Sequence, residues 1–190
     1  LIRRRRTTIV QRRPIFLGCE GESEQAYGQV LNDLLREAKQ PFHLEVVNLN
    51  PGAGDPIARL RRAEQEISRR HGRRPEFHLK VILMDSDQVA ADAQRRQQAE
   101  RLAQDLDIRI IWQEPCHEAV LLRHLDGFAQ NRPPTSQSAK AALRAAWPDY
   151  RKPMTKVELM RRIALDAVQR AAGVEPSLSA FLHDIRLLPR

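Results

Sequence analysis

Phe77-His78-Leu79-Lys80-Val81-Ile82-Leu83-Met84-Asp85-Ser86-Asp87 is the stretch that decides the fold. From Leu79 to Met84 it is almost continuously apolar, and it stops abruptly at Asp-Ser-Asp. A run of this length with no polar alternation reads as a strand covered on both faces. Pro14-Ile15-Phe16-Leu17-Gly18-Cys19 has the same character and stops at Glu20-Gly21-Glu22. His43–Asn50 and Ile108–Trp112 supply two more strands.

The segments between these strands carry helical periodicity. Ala26, Val30, Leu34, Leu35 and Ala38 repeat at helical spacing over residues 23–38, with Ser23 as the expected cap. Asn50-Pro51-Gly52-Ala53-Gly54 is a loop. Asp55 is placed to cap the next helix, with Pro56 at its first position, where a missing N–H costs nothing. That helix puts Ile57, Leu60, Ala63 and Ile67 on one face and arginines on the other. Residues 89–106 form a more polar helix, and a Leu-rich one begins near Pro115. Four alternations of strand and helix predict an α/β domain with a four-stranded, mainly parallel sheet flanked by helices.

The pattern changes after Asp126. A Pro/Ser/Gln linker over 131–138 leads into helices near 136–147, 155–172 and 177–186. Thr155 and Glu158 match a capping box. The expected organisation is a basic N-terminal arm (1–13), an α/β domain (14–130) and a C-terminal helical extension (131–190). Trp112 and Trp147 fall at apolar-face positions and read as core. His43, His71, His78 and His183 have no partner spacing and read as ordinary.

The net charge is +8, with six arginines and no acid in residues 1–13. That balance points to a polyanion, nucleic acid above all. Arg3, Arg4, Arg5 and Arg6 are the first candidates for phosphate contact. No run is long and apolar enough to span a bilayer and no signal peptide is visible, so a cytoplasmic protein with no membrane partner is expected. Cys19 and Cys116 read as buried or half-buried free thiols, and there is no CxxC or HExxH. Gly52 and Gly54 resemble half a phosphate loop, but no Gly-Lys-Ser/Thr follows, so ATP hydrolysis by this chain is not expected.

The acids sit at the ends of strands. Glu20, Glu22 and Glu24 follow the first, Asp85 and Asp87 the third, Glu114 and Glu118 the fourth. In open α/β sheets, ligands bind outside the carboxyl ends of the strands. If the first and third strands are neighbours, their acids converge. Clustered carboxylates repel unless a cation neutralises them, and hard oxygen donors suit Mg²⁺ or Mn²⁺. Acids near helix N-termini also have a plain structural use. The two elements together, both at strand ends, favour the functional reading: metal-assisted attack on a phosphodiester.

These residues carry a family resemblance. Phe16-Leu17-Gly18-Cys19-Glu20-Gly21-Glu22-Ser23-Glu24 resembles the first motif of TOPRIM domains, and Leu83-Met84-Asp85-Ser86-Asp87 resembles the TOPRIM Asp-x-Asp. The Cys-Glu-Gly-Glu junction, Pro115-Cys116-x-Glu118 leading to a helix with His124, Tyr150-Arg151-Lys152 and the basic N-terminus resemble the RloB-like family over nearly the whole chain. The chain departs from the family pattern at Glu114, where an Asn is usual, at His117, where an aromatic is usual, and at Ser86, often an Arg.

The resemblance implies a TOPRIM-like, Mg²⁺- or Mn²⁺-dependent endonuclease of an abortive-infection, anti-phage locus. It would cut DNA or RNA, tRNA included, under control of an ABC- or SMC-type ATPase partner. Glu20 would be a metal ligand or general base, and Glu24 the second acid of a Glu-Gly-x-x-Glu motif. Asp85 and Asp87 would bind metal with Glu20, Glu118 would complete the site, and Lys152 and Lys140 would contact phosphate. A non-catalytic nucleic-acid-binding or partner-docking subunit is the alternative, and a topoisomerase or primase fragment is less favoured. DNA versus RNA and homo-oligomerisation stay open.

Overall fold

The structure is a computed structural model and describes residues 12–50, 54–70, 72 and 75–189. Strand and helix alternate as β1 (Arg13–Cys19), α1 (Glu22–Glu37), β2 (Phe42–Asn48), α2 (Pro56–Arg70), β3 (Leu79–Asp85), α3 (Ala93–Asp105), β4 (Arg109–Gln113) and α4 (His117–His124). The C-terminal helices are α5 (Ser136–Ala146), α6 (Lys156–Leu159), α7 (Leu165–Ala172) and α8 (Pro176–Asp184). The four strands are all parallel, in the order β2-β1-β3-β4. The architecture is thus the expected α/β one, and it is consistent with a TOPRIM-like fold.

Alternation along each strand sends side chains to two separate cores. Ile15, Leu17, Val81 and Leu83 pack on one face with α1, α4 and the C-terminal helices. Phe16, Ile82 and Met84 pack on the other face with α2 and α3. This two-sided burial is why the strands read as apolar runs. Gly28 lets α1 lie close to the sheet, since a Cβ there would stand 2.9 Å from both Leu17 and Val46. Trp147, Tyr150, Met154, Ile163 and Phe181 all join the same core as β1 and α1.

Asp55 caps α2 as expected, accepting from the Ala58 N–H at 3.1 Å. The Thr155–Glu158 capping box is present, and a second one joins Thr135 and Ser138. Four expectations are corrected. Gly21, not Ser23, is the N-cap of α1, and the buried Ser23 hydroxyl finds no partner among the described residues. The helix expected from residue 89 starts only at Ala93, where Asp92 caps it after a 3-10 turn at Asp87–Val89. The helix expected over 155–172 breaks into α6 and α7, because the chain turns so that both Leu159 and Ile163 enter the core. Trp112 is only partly buried: its indole N–H donates to Glu100 at 3.1 Å and Arg96 lies over its ring. Trp147 is core as expected.

Candidate active site

β1 leads outward to β2 while β3 leads the other way to β4, so the chain changes direction between β1 and β3. That is the crevice where open α/β sheets hold ligands. Cys19 pairs with Leu83, which brings the residues just past each strand into contact. One oxygen of Glu20 accepts the Asp85 backbone N–H at 3.0 Å. Its other oxygen accepts from Arg59 at 2.7 Å, and a second Arg59 N–H donates to the Glu20 carbonyl at 2.9 Å.

Arg59 is buried on α2, where the sequence places arginines on the solvent face. It borders the stripe of Pro56, Leu60 and Ala63, and that position was its one sequence signal. Arg59 Nε has no hydrogen-bond partner among the described residues.

Asp85 is the centre of the cluster. Burial first, and then the charges of Glu24, Glu20, Asp87 and Glu118, push its carboxyl up to about 9. A carboxyl there is protonated at neutral pH in the absence of a cation. Its Oδ1 accepts the His117 backbone N–H at 2.8 Å, at the first turn of α4. Burial also raises Glu20 above the ordinary carboxylate range, opposed by the Asp85 N–H and Arg59. Glu24 is buried in the first turn of α1. Asp87 is exposed and accepts from the Ser136 hydroxyl at 2.6 Å, so α5 of the C-terminal extension reaches the cluster.

Glu118 has no exposed surface, and one of its oxygens accepts from Lys152 at 2.9 Å. Burial alone would raise this carboxyl, but the Lys152 ammonium outweighs it and holds Glu118 down at about 2. The other oxygen of Glu118 is buried and has no hydrogen-bond partner among the described residues. Tyr150 also lies against the pair. Lys140 stands one turn along α5 from Ser136, and no hydrogen bond or ion pair joins it to the acids. Arg3, Arg4, Arg5 and Arg6 lie outside the described residues.

Arg123, like Arg59, went unread in the sequence, and His117 was read only as a departure from the family pattern. His117 is wholly buried, edge-on to Tyr27 at 5.6 Å, with Gln113 at its Nδ1. Burial lowers its pKa below the usual histidine value. Arg123 is buried on α4. It bonds Glu175 at 2.6 Å and the carbonyls of Glu114 and Asn131, pinning the extension to the β4–α4 connection. Both cysteines are buried free thiols as expected.

The family model for RloB-like protein matches residues 15–179, which include all five acids and Lys152. The chain belongs to the RloB-like family. No curated protein and no solved structure matches it. The donor set of this RloB-like chain is oxygen only, the kind that suits Mg²⁺. Its arrangement is not a ready coordination shell. Among the described residues, no three His, Cys, Asp or Glu groups stand together so as to hold a metal ion. Glu20, Asp87 and Glu118 are instead each bonded to a protein side chain: Arg59, Ser136 and Lys152. Among the described residues no helix is long and apolar enough to cross a membrane.

Proposed function

We propose that this RloB-like chain is a metal-dependent nuclease that hydrolyses nucleic-acid phosphodiesters. The observation that supports this most is the convergence of Glu20, Glu24, Asp87 and Glu118 on a single carboxyl, Asp85. Protein folding gains nothing from crowding acids around Asp85 until its pKa rises, whereas displaced pKa values cluster at functional sites. Glu20, Asp85 and Asp87 would hold Mg²⁺ or Mn²⁺, Glu20 through the lone pairs that its bonds to Arg59 and the Asp85 N–H leave free, and Asp87 by turning from Ser136. The chemistry such a cation supplies is polarisation of a phosphoryl oxygen and activation of water.

The protein's own part is positional. Arg59 and the Asp85 N–H fix Glu20. The His117 N–H fixes Asp85. Lys152 keeps Glu118 ionised and, partly exposed, would face a substrate phosphate. By family resemblance we place this activity in an anti-phage abortive-infection system governed by an ABC- or SMC-type ATPase partner.

A second reading, nucleic-acid binding or partner docking without catalysis, is favoured by one observation: the carboxylates already have protein partners. The test is incubation of the purified chain with plasmid, single-stranded DNA and total tRNA in Mg²⁺, Mn²⁺ or EDTA, beside Asp85→Asn and Glu20→Gln. Metal-dependent cleavage lost in both variants is the expected result. Cleavage unchanged in either variant removes the site assignment. No cleavage by the wild type, even with the neighbouring ATPase added, favours the binding reading.

A further inference from the structure

The end of the sheet opposite the acids has its own constellation. Arg13 opens β1 and is in register with Phe42, which opens β2. His78 precedes β3 and donates its backbone N–H to Pro14. These three residues are therefore side by side at the amino edge of the sheet. Phe42 and His78 stack with ring centres 5.2 Å apart and planes 13° from parallel. The Arg13 guanidinium lies 5.7 Å from the Phe42 centre and donates to His78 Nδ1 at 2.7 Å. A second guanidinium, that of Arg186, lies 6.0 Å from the same ring. His78 is thus not the ordinary histidine expected from sequence. It accepts from an arginine, which can only donate, and so holds that arginine in place.

Two further features single out this pair of arginines. Neither Arg13 nor Arg186 forms an ion pair among the described residues, although their neighbours at this edge do: Lys80 with Asp107 and Arg109 with Asp184. Both are exposed. Arg186 also stands just past α8 at φ 60°, where the Leu187 N–H bonds back to Leu182. That helix-ending position favours glycine. Lys39, just past α1 and three residues before Phe42, takes the same left-handed backbone. Two unpaired guanidiniums against one ring repel each other unless an anion joins them. Ring contacts hold them ready, so less side-chain freedom is lost on binding.

We propose that this amino edge, with Arg13 and Arg186 seated on Phe42, binds the phosphate backbone of a nucleic acid at a second point remote from the acids. Planar guanidiniums match phosphate oxygens bidentately. Arg12 flanks the patch and lines a cleft of about 490 Å³ with Arg13, His78 and one acid, Glu76. The sequence before Arg12 holds the arginine run of residues 3–6. A seven-residue strand at about 3.3 Å per residue puts roughly 20 Å between the two ends of the sheet. One phosphate cannot touch both ends, and a duplex or folded RNA several base pairs long can. The inference rests on nucleic acid being the substrate class, and its test does not need cleavage.

The experiment is fluorescence anisotropy of labelled 24-base-pair DNA and RNA duplexes in EDTA, titrated with the full chain across 50–200 mM salt. Wild type is compared with Arg13→Ala, Arg186→Gly and the double variant. Arg186→Gly suits the left-handed backbone, so it removes the charge without disturbing the helix end. Each variant is expected to weaken binding several-fold. On DNA, the slope of log K against log salt should shrink by about 0.9 for each arginine removed. Unchanged affinity and slope in the folded Arg186→Gly and Arg13→Ala variants would overturn the proposal, as would a wild type that binds neither duplex. If Arg13→Ala is unfolded, Arg186→Gly decides alone. Binding that depends on these arginines in a chain that cuts nothing, even with the neighbouring ATPase added, would sink the nuclease reading and leave this one standing. Cleavage with arginine-independent binding would do the reverse.

Discussion

Arg59 grips Glu20 at two points, donating to its carboxylate at 2.7 Å and to its backbone carbonyl at 2.9 Å. The guanidinium therefore fixes both the side chain and the turn that ends β1. Its own side chain is 5% exposed and that of Glu20 16%, so the pair sits largely out of water. Breaking a buried pair leaves one charge uncompensated, which costs more than the pair contributes. Arg59→Ala is expected to lower stability by about 3 kcal/mol. Pairing it with Glu20→Gln should recover much of that loss. Arg59→Lys should not rescue it, because an ammonium lacks the fork. Urea unfolding of the wild type, Arg59→Ala, Glu20→Gln, the double variant and Arg59→Lys checks this, and additive losses would contradict the coupling.

Asp85 carries a cost that folding imposes. Its carboxyl is raised from 3.8 to about 9, so the folded state binds a proton that the unfolded state releases across that interval. Stability contributed by protonated Asp85 is full below about pH 4 and falls as pH rises toward 9. Asp85→Asn keeps an oxygen for the His117 N–H and removes the titration. The variant should be more stable than wild type at pH 8, by on the order of 2 kcal/mol, and indistinguishable from it near pH 4. For a chain of this size that is a rise in Tm of about 4–8 °C. Equal melting at pH 8 would mean that Asp85 is not crowded by its neighbours.

The same site gives a prediction about metal. A cation that binds only the folded state raises Tm with its concentration. Millimolar Mn²⁺ or Mg²⁺ is expected to stabilise the wild type at pH 8, releasing a proton from Asp85 as it binds. Glu20→Gln and Asp85→Asn should lose the shift. Calorimetry in two buffers of different ionisation enthalpy reads the proton release directly. A shift of equal size in all three proteins would place the metal elsewhere.

What the sequence disclosed follows from the physics of parallel sheets. Strands buried on both faces must be apolar throughout, so Ile15–Cys19 and Leu79–Met84 announce themselves. Because the loops after β1 and β3 are short, the acids of Glu20-Gly21-Glu22 and Asp85-Ser86-Asp87 are tied to strand ends, and only the strand order remained to bring them together. Buried cations were not legible. Arg59 meets Glu20 across 39 residues and Arg123 meets Glu175 across 52, and no local pattern marks a charge whose partner lies so far away. The break between α6 and α7 was hidden for the opposite reason. Both halves keep helical spacing, and only the demand that Leu159 and Ile163 share one core bends the chain.

Arg123 gives a test of how the extension is held. Its side chain is 2% exposed and bonds Glu175, just before α8, together with the Glu114 and Asn131 carbonyls. Arg123→Ala strands Glu175 and two carbonyls in a dry setting. A loss of about 3–5 kcal/mol is expected, with faster protease cleavage in the 127–135 connection. Protection there equal to wild type would show that packing of α7 and α8 alone suffices.

Lys152 and Glu118 yield the last prediction, in acid. Glu118 is depressed from 4.5 to about 2, against its burial, by the Lys152 ammonium. A depressed carboxylate contributes stability that is present above its unfolded value, near pH 4.5, and is lost as pH falls toward 2. Lys152→Met removes the ammonium and leaves a buried carboxylate, so its pKa must climb and the contribution disappears. Lys152 is 44% exposed, and water screens the pair, so the loss at pH 7 is taken as only about 1 kcal/mol. The two proteins should differ by roughly 2–4 °C in Tm at pH 7 and converge as pH falls below 3. Glu118→Gln combined with Lys152→Met should show no such pH-dependent gap, since neither charge remains. A gap that persists unchanged at pH 2.5 would show that Lys152 acts through packing of its aliphatic stem rather than through its charge.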